Sequence, residues 1–189
     1  MKLFILLDRS GSMDARWLET QVALREFMKN IDAKSKVWLM AFDTEFDLPI
    51  EGVEAGDWSG IPDEISPRGM TALYDGIARL ARVVNENAKK KAQVVVITDG
   101  WENSSRETSQ QGAKAIVEGW RSKGYDVVYL GADFDAVSVG ENIGMATMDT
   151  VNYSSKNAGL MGATLAHKHT AYASGNARGF TDAEREEVK

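Results

Sequence analysis

The sequence predicts an α/β three-layer sandwich: a mostly parallel central sheet, helices on both faces, and one antiparallel hairpin at an edge. Three observations carry this. Short apolar runs alternate with segments of helical period along the chain. Parallel strands need crossover helices, and those segments supply them. One tight link, Asp43-Thr44-Glu45, is too short for a crossover and so marks the hairpin. A chain of 189 residues can bury about 70% of the surface its unfolded form exposes, enough to fold without a staple.

Taken in order, Leu3–Leu7 is a short apolar run ending in a charged residue, as a buried parallel strand reads. Leu24, Phe27, Met28 and Ile31 fall at i, i+3, i+4 and i+7, one helix stripe. Val37–Phe42 and Phe46–Val53 are the hairpin strands. Residues 54–70 hold Gly56, Gly60, Pro62, Pro67 and Gly69 and read as loop. Leu73, Ile77, Leu80, Ala81 and Val84 form a second stripe. Val94–Ile97 is the purest β-branched run and reads as a fully buried strand. Ser104 and Glu107 have the spacing of a capping box for a helix bearing Ala113, Ile116, Val117 and Trp120. Gly124 ends it, and Asp126–Leu130 is the next strand. A short helix over Asp133–Ile143, a strand at Thr150–Tyr153 and a helix over Leu160–Tyr172 follow. The end, Gly175–Lys189, is polar, with Thr181 and Glu184 as the cap of a last short helix. This organisation divides into a sandwich over 1–153 and a helical extension with a polar tail over 154–189. Leu160, Met161, Leu165 and Tyr172 suit a helix that packs back on the sandwich or grips another subunit.

Composition narrows the function. Hydrophobic residues make up 43% and charged residues 26%, which argues against disorder. The absence of Cys excludes disulfides, thiolate metal sites and Cys nucleophiles. A net charge of -6 argues against nucleic acid as the main partner. The run Leu3–Leu7 is far shorter than the ~18 residues of a membrane span and has no cleavage site after it, so a cytoplasmic location is the default expectation.

Ligands of open α/β sheets bind beyond the carboxyl ends of the strands, near a switch in strand order. The first strand is followed by Asp8-Arg9-Ser10-Gly11-Ser12, the Val94 strand by Thr98-Asp99-Gly100, and Gly69-Met70-Thr71 precedes the Leu73 helix. Together these loops offer two carboxylates, Asp8 and Asp99, and three hydroxyls, Ser10, Ser12 and Thr71. Such an oxygen-only set suits a hard dication such as Mg²⁺, with Mn²⁺ or Ca²⁺ as alternatives. Ser10 and Ser12 can converge in a loop leaving a strand, and Gly11 permits the turn. Asp8 can hold the hydroxyls or the ion's waters from behind.

These three elements, in this order, resemble the metal-ion-dependent adhesion site of the von Willebrand factor type A family. The resemblance covers roughly residues 1–153 and implies a Rossmann-like sandwich. It implies Ser10, Ser12 and Thr71 as direct metal ligands, with Asp8 and Asp99 acting mostly through water. It also implies a non-catalytic role: an ion held by neutral hydroxyls keeps most of its charge and takes an Asp or Glu of a protein partner as its next ligand.

Around the rim stand Arg9, Arg68, Trp101 and Glu102. The arginines could pair with acidic groups of the partner. Trp101 is an interface anchor or a half-buried ring. Glu102 could repel a carboxylate or ligate the ion itself. Asp75 is expected to support the loop or sit exposed on its helix, and Asp43 to form the hairpin turn. His167 and His169 are two apart on a helix and point to different sides, which argues against a metal site there. Lys89-Lys90-Lys91 reads as a solvated helix end. Two other functions compete. A Mg-dependent phosphohydrolase would use Asp8 as nucleophile, although Ser10 stands where its general acid should be. A structural assembly component would keep the site as a relic. No Walker loop or nucleophile elbow follows a strand.

Overall fold

The computed structural model describes residues 1–133, 135–176 and 179–189. Phe134, inside the helix expected over 133–143, and Ala177 and Arg178, inside the expected polar end, lie outside the described residues.

Six strands form one sheet: β1 Lys2–Asp8, β2 Lys36–Phe42, β3 Phe46–Glu54, β4 Ala92–Thr98, β5 Asp126–Ala132 and β6 Thr150–Tyr153, in the order β3-β2-β1-β4-β5-β6. The β2–β3 pair is antiparallel and every other pair is parallel. The fold class read from the sequence is therefore the observed one. Four of the parallel strands are buried almost throughout, which is why they read as unbroken apolar runs. Side chains alternate between the faces. Leu3, Ile5 and Leu7 of β1 enter one core with α1 (Trp17–Lys29) and α5 (Ala158–Ala173), while Phe4 and Leu6 enter the other with α2 (Leu73–Asn87), α3 (Gln110–Ser122) and α4 (Ala136–Asn142).

Helix α5 packs back on the sandwich along α1, one of the two options its sequence left open. Gly162 makes the approach possible, because a β carbon there would overlap the Ala23 carbonyl oxygen. The helix also buries charge. Lys168 bridges Asp126 and Asp149 at 2.9 Å each. His169 Nδ1 lies 2.8 Å from Gln93 Oε1, and burial pushes the ring down to about 4. The chain end is less polar in its packing than in its composition: Phe180 and Val188 join the core. Thr181 and Glu184 form the expected capping box of α6 (Asp182–Glu187).

The start of α3 differs from expectation. The helix begins at Gln110, capped by Ser109, whose side chain accepts from Gly112 N–H at 3.2 Å. The Ser104/Glu107 pair is not its cap. Asp75 instead takes the amides of Arg106, Glu107 and Thr108 at 2.8, 3.1 and 2.6 Å, drawing that stretch into a loop folded on α2. Burial alone would raise the Asp75 pKa, but these amides outweigh it and hold the carboxylate below its ordinary value.

Candidate functional site

The strand order reverses direction of growth between β1 and β4, and the carboxyl ends of these two strands meet there. Asp8 closes β1 and Thr98 closes β4. Asp8 is fully buried; Oδ2 accepts from the Thr98 hydroxyl at 2.6 Å and Oδ1 from Ser10 N–H at 2.7 Å. Burial still dominates and raises its pKa from 3.8 to about 6. The fold thus confines a carboxylate where positive charge would stabilise it.

Ser10 Oγ and Ser12 Oγ lie 3.1 Å apart, and Ser12 donates to Asp99 Oδ1 at 2.6 Å. The third hydroxyl converges on the same place. A β carbon on Gly100 would meet Ser12 Oγ at 3.5 Å and Thr71 Oγ1 at 3.7 Å. The missing side chain leaves open the space that both hydroxyls face. The loops carrying them are bonded backbone to backbone: Gly11 N–H to Gly69 O at 3.1 Å, Arg68 N–H to Arg9 O at 2.7 Å, and Asn103 N–H to Thr71 O at 3.0 Å. Gly69 takes φ +67°, a left-handed turn that admits few other residues.

Three residues do more here than the sequence revealed. Thr98 clamps Asp8. Asn103 Oδ1 accepts from Thr71 N–H at 2.9 Å and fixes that loop. Arg16 reaches Asp99 Oδ2 at 3.1 Å and Asp133 Oδ2 at 3.3 Å, placing a cation beside the hydroxyls. Its position one helical turn beyond Ser12 was the available signal.

Two rim residues are corrected. Arg9 is buried and ion-paired with Asp43 at 3.5 Å and Asp47 at 2.6 Å, so it faces the hairpin and does not stand exposed on the rim. Glu102 is engaged within its own loop: its oxygens accept from the amides of Ser104, Ser105 and Tyr74 at 2.8, 2.6 and 3.1 Å. It organises the loop. Arg68 is half exposed but engaged by Asp43 at 2.8 Å and Glu45 at 2.5 Å. Trp101 is 56% and Met70 51% exposed, on the two loops that Thr71 and Asn103 tie together. Asp43 accepts from Glu45 N–H in the hairpin turn, as expected, and also anchors both arginines.

Among the described residues, no three His, Cys, Asp or Glu groups gather to hold a metal. The donor set here is different in kind. Hydroxyls, a confined carboxylate and an open cradle in front of Gly100 fit a hard dication.

The sequence model of the von Willebrand factor type A domain matches residues 3–102. The chain belongs to this family of protein-interaction domains. Solved structures agree in fold. Proximal thread matrix protein 1 from the mussel byssus superposes with a TM-score of 0.71 at 18% identity, over 85% of this chain and 44% of the byssus protein. The vWF domain of the type V pili tip protein Mfa5 from Porphyromonas gingivalis gives 0.69 at 9% identity, over 96% and 98% of the two chains. A form of the byssus protein with a zinc-occupied MIDAS motif gives 0.65 at 14% identity, over 87% and 45%. The chain thus spans less than half of the byssus protein's length. No curated protein sequence matches it. Among the described residues, no helix is long and apolar enough to cross a membrane.

Proposed function

We propose that the protein is a divalent-cation-dependent interaction domain that binds an acidic side chain of a protein partner. The observation that carries this is the gathering of three hydroxyls, with Ser10 Oγ against Ser12 Oγ and both Ser12 Oγ and Thr71 Oγ1 beside Gly100, backed by Asp8 and Asp99. Ser10, Ser12 and Thr71 would hold the ion directly. Asp8 would orient the seryl loop, and Asp99 would accept from Ser12 and from the ion's waters. A bound dication there supplies charge that neutral hydroxyls leave uncompensated, and an external carboxylate satisfies it. Oxygen ligands favour Mg²⁺ or Mn²⁺, and the zinc in the byssus relative supports divalent binding in general. Trp101 and Met70, exposed on the adjoining loops, offer apolar contact to such a partner.

The surroundings of Asp8 count against the phosphohydrolase alternative. Asp8 is buried, and both of its oxygens already accept hydrogen bonds. The test is a divalent titration followed by melting temperature, with Ser10→Ala/Ser12→Ala as control. The native chain should gain stability with millimolar Mg²⁺ or Mn²⁺ and the double variant should not. Absence of any divalent effect on the native chain refutes the reading. Partner capture should fail in EDTA; capture that survives the double variant favours a structural assembly component with a relic site.

A further inference from the structure

At the amino ends of β1, β2 and β4, opposite the hydroxyl site, lies a cavity of about 370 Å³. Its walls are Lys2, Lys34, Lys36, Lys89, Lys90 and Lys91, with Met1 beside them. These are six of the chain's twelve lysines, in a protein whose net charge is -6. Sheet register gathers them. Lys2 opens β1, stands opposite Lys36 on one side, and stands opposite Ala92, the neighbour of Lys91, on the other.

Three of the six are held by the fold. Lys2 Nζ donates to Asn87 O at 2.5 Å and lies 5.5 Å from the centre of the Trp38 ring. Lys36 pairs with Glu54 at 3.1 Å. Lys91 Nζ donates to the carbonyls of Tyr172 and Ala173 at 3.4 Å each. Lys34, Lys89 and Lys90 have no ion pair among the described residues. A helix end alone does not explain the cluster. The carboxyl end of α2 carries about half a charge, and the Lys2 ammonium already meets it. The other ammonium groups add mutual repulsion. No acidic residue among those described lines the cavity, and Glu54 relieves only Lys36.

We propose that this basin binds a compact anion carrying several phosphate groups, either free in solution or as a lipid headgroup. Lysine is a flexible point charge that accepts phosphate in many orientations, whereas planar recognition of carboxylates favours arginine. No arginine lines the cavity. Base stacking is not on offer: Trp38 is already stacked on Phe4 at 4.9 Å and covered by Lys2. The acidic remainder of the molecule repels a long polyanion. The volume falls in the range of small-ligand sites, about 300–1,000 Å³.

The experiment is calorimetric titration of the full chain with inorganic tripolyphosphate at about 0.15 M salt. Saturable binding is expected. Lys34→Gln/Lys89→Gln/Lys90→Gln should weaken it by at least about 10-fold, and the charge-matched Lys114→Gln/Lys123→Gln/Lys156→Gln by less than about 2-fold. No saturable binding, or equal losses in the two triple variants, overturns the proposal. So does tighter binding of single-stranded DNA than of tripolyphosphate. Phosphatidylcholine vesicles containing phosphatidylinositol bisphosphate separate the sources. Capture that tripolyphosphate displaces identifies a headgroup; no capture beside intact tripolyphosphate binding identifies a free anion. Equal capture by charge-matched phosphatidylserine vesicles overturns phosphate recognition.

Discussion

Replacing Asp8 by Asn should stabilise the ion-free protein at neutral pH while abolishing divalent binding. The folded carboxyl has its pKa raised from 3.8 to about 6, chiefly by burial. Between those values the folded chain keeps a proton that the unfolded chain has released, so stability falls as pH rises through that window. The penalty is about 3 kcal/mol near pH 7.5 and about 1 kcal/mol near pH 4.5. Asparagine removes it and can keep both contacts: Oδ1 accepts from Ser10 N–H, and Nδ2 donates to a rotated Thr98 hydroxyl. Imperfect geometry will consume part of the gain, leaving about 1–2 kcal/mol near pH 7.5 and less than about 1 near pH 4.5. For a chain of this size that is a rise of about 0.5–1 M in the urea midpoint. The titration of buried His169 affects both proteins alike and cancels in the difference. The assay is urea unfolding in EDTA at the two pH values, then with millimolar Mn²⁺. A variant that is destabilised at neutral pH, or whose gain is the same at both pH values, refutes the account of Asp8 as a carboxylate strained for want of a cation.

Gly100→Ala should block the site without harming the fold. Its methyl meets Ser12 Oγ and Thr71 Oγ1 at ordinary contact distance, so the ion-free melting temperature should move by less than about 2 °C while the divalent-induced rise disappears. Arg16→Gln removes the cation that pairs with Asp99 and Asp133. It should tighten Mn²⁺ binding by about 5-fold and cost up to about 1 kcal/mol in EDTA, and weaker binding in calorimetry would count against it. Gly162→Ala should cost about 3 kcal/mol by forcing α5 off α1. Gly159→Ala, whose β carbon would sit 3.8 Å from Val22, should be neutral or slightly stabilising in the same unfolding assay.

The parts of the fold legible in the sequence were those with local causes. A strand buried on both faces must be apolar along its length, so β1, β2, β4 and β5 announced themselves. A three-residue link permits only a hairpin. Thr181 and Glu184 cap α6 within four residues. What failed to show was decided by distant partners. Ser104 and Glu107 have the spacing of a cap, but Asp75, on another helix, claims the amides of that stretch. Arg9 sits between two motif residues and looks like a rim cation, yet Asp43 and Asp47 across the sheet neutralise it in the interior. Glu102 spends its charge on amides that no sequence window connects. Spacing brought Asp8, Ser10, Ser12, Thr71 and Asp99 to one strand-end region; the side-chain bonds that position them came from Thr98, Asn103 and Arg16.

The bonds joining the three loops bear on how the site should respond to an ion. Gly11, Arg68 and Asn103 donate from the backbone to carbonyls, and each closes one loop against another. None of these bonds depends on a ligand. Binding therefore has little ordering entropy to overcome, so the divalent-induced rise in melting temperature should report the site's affinity directly. The contact a dication must contend with is the guanidinium of Arg16 on Asp99. Positive charge is thus already supplied to the second carboxylate but not to the first, since the ion pairs of Arg9 run to the hairpin. Asp8 is the group left in deficit. On the proposed function, this predicts that removing Arg16 strengthens cation binding and that removing the Asp8 charge abolishes it.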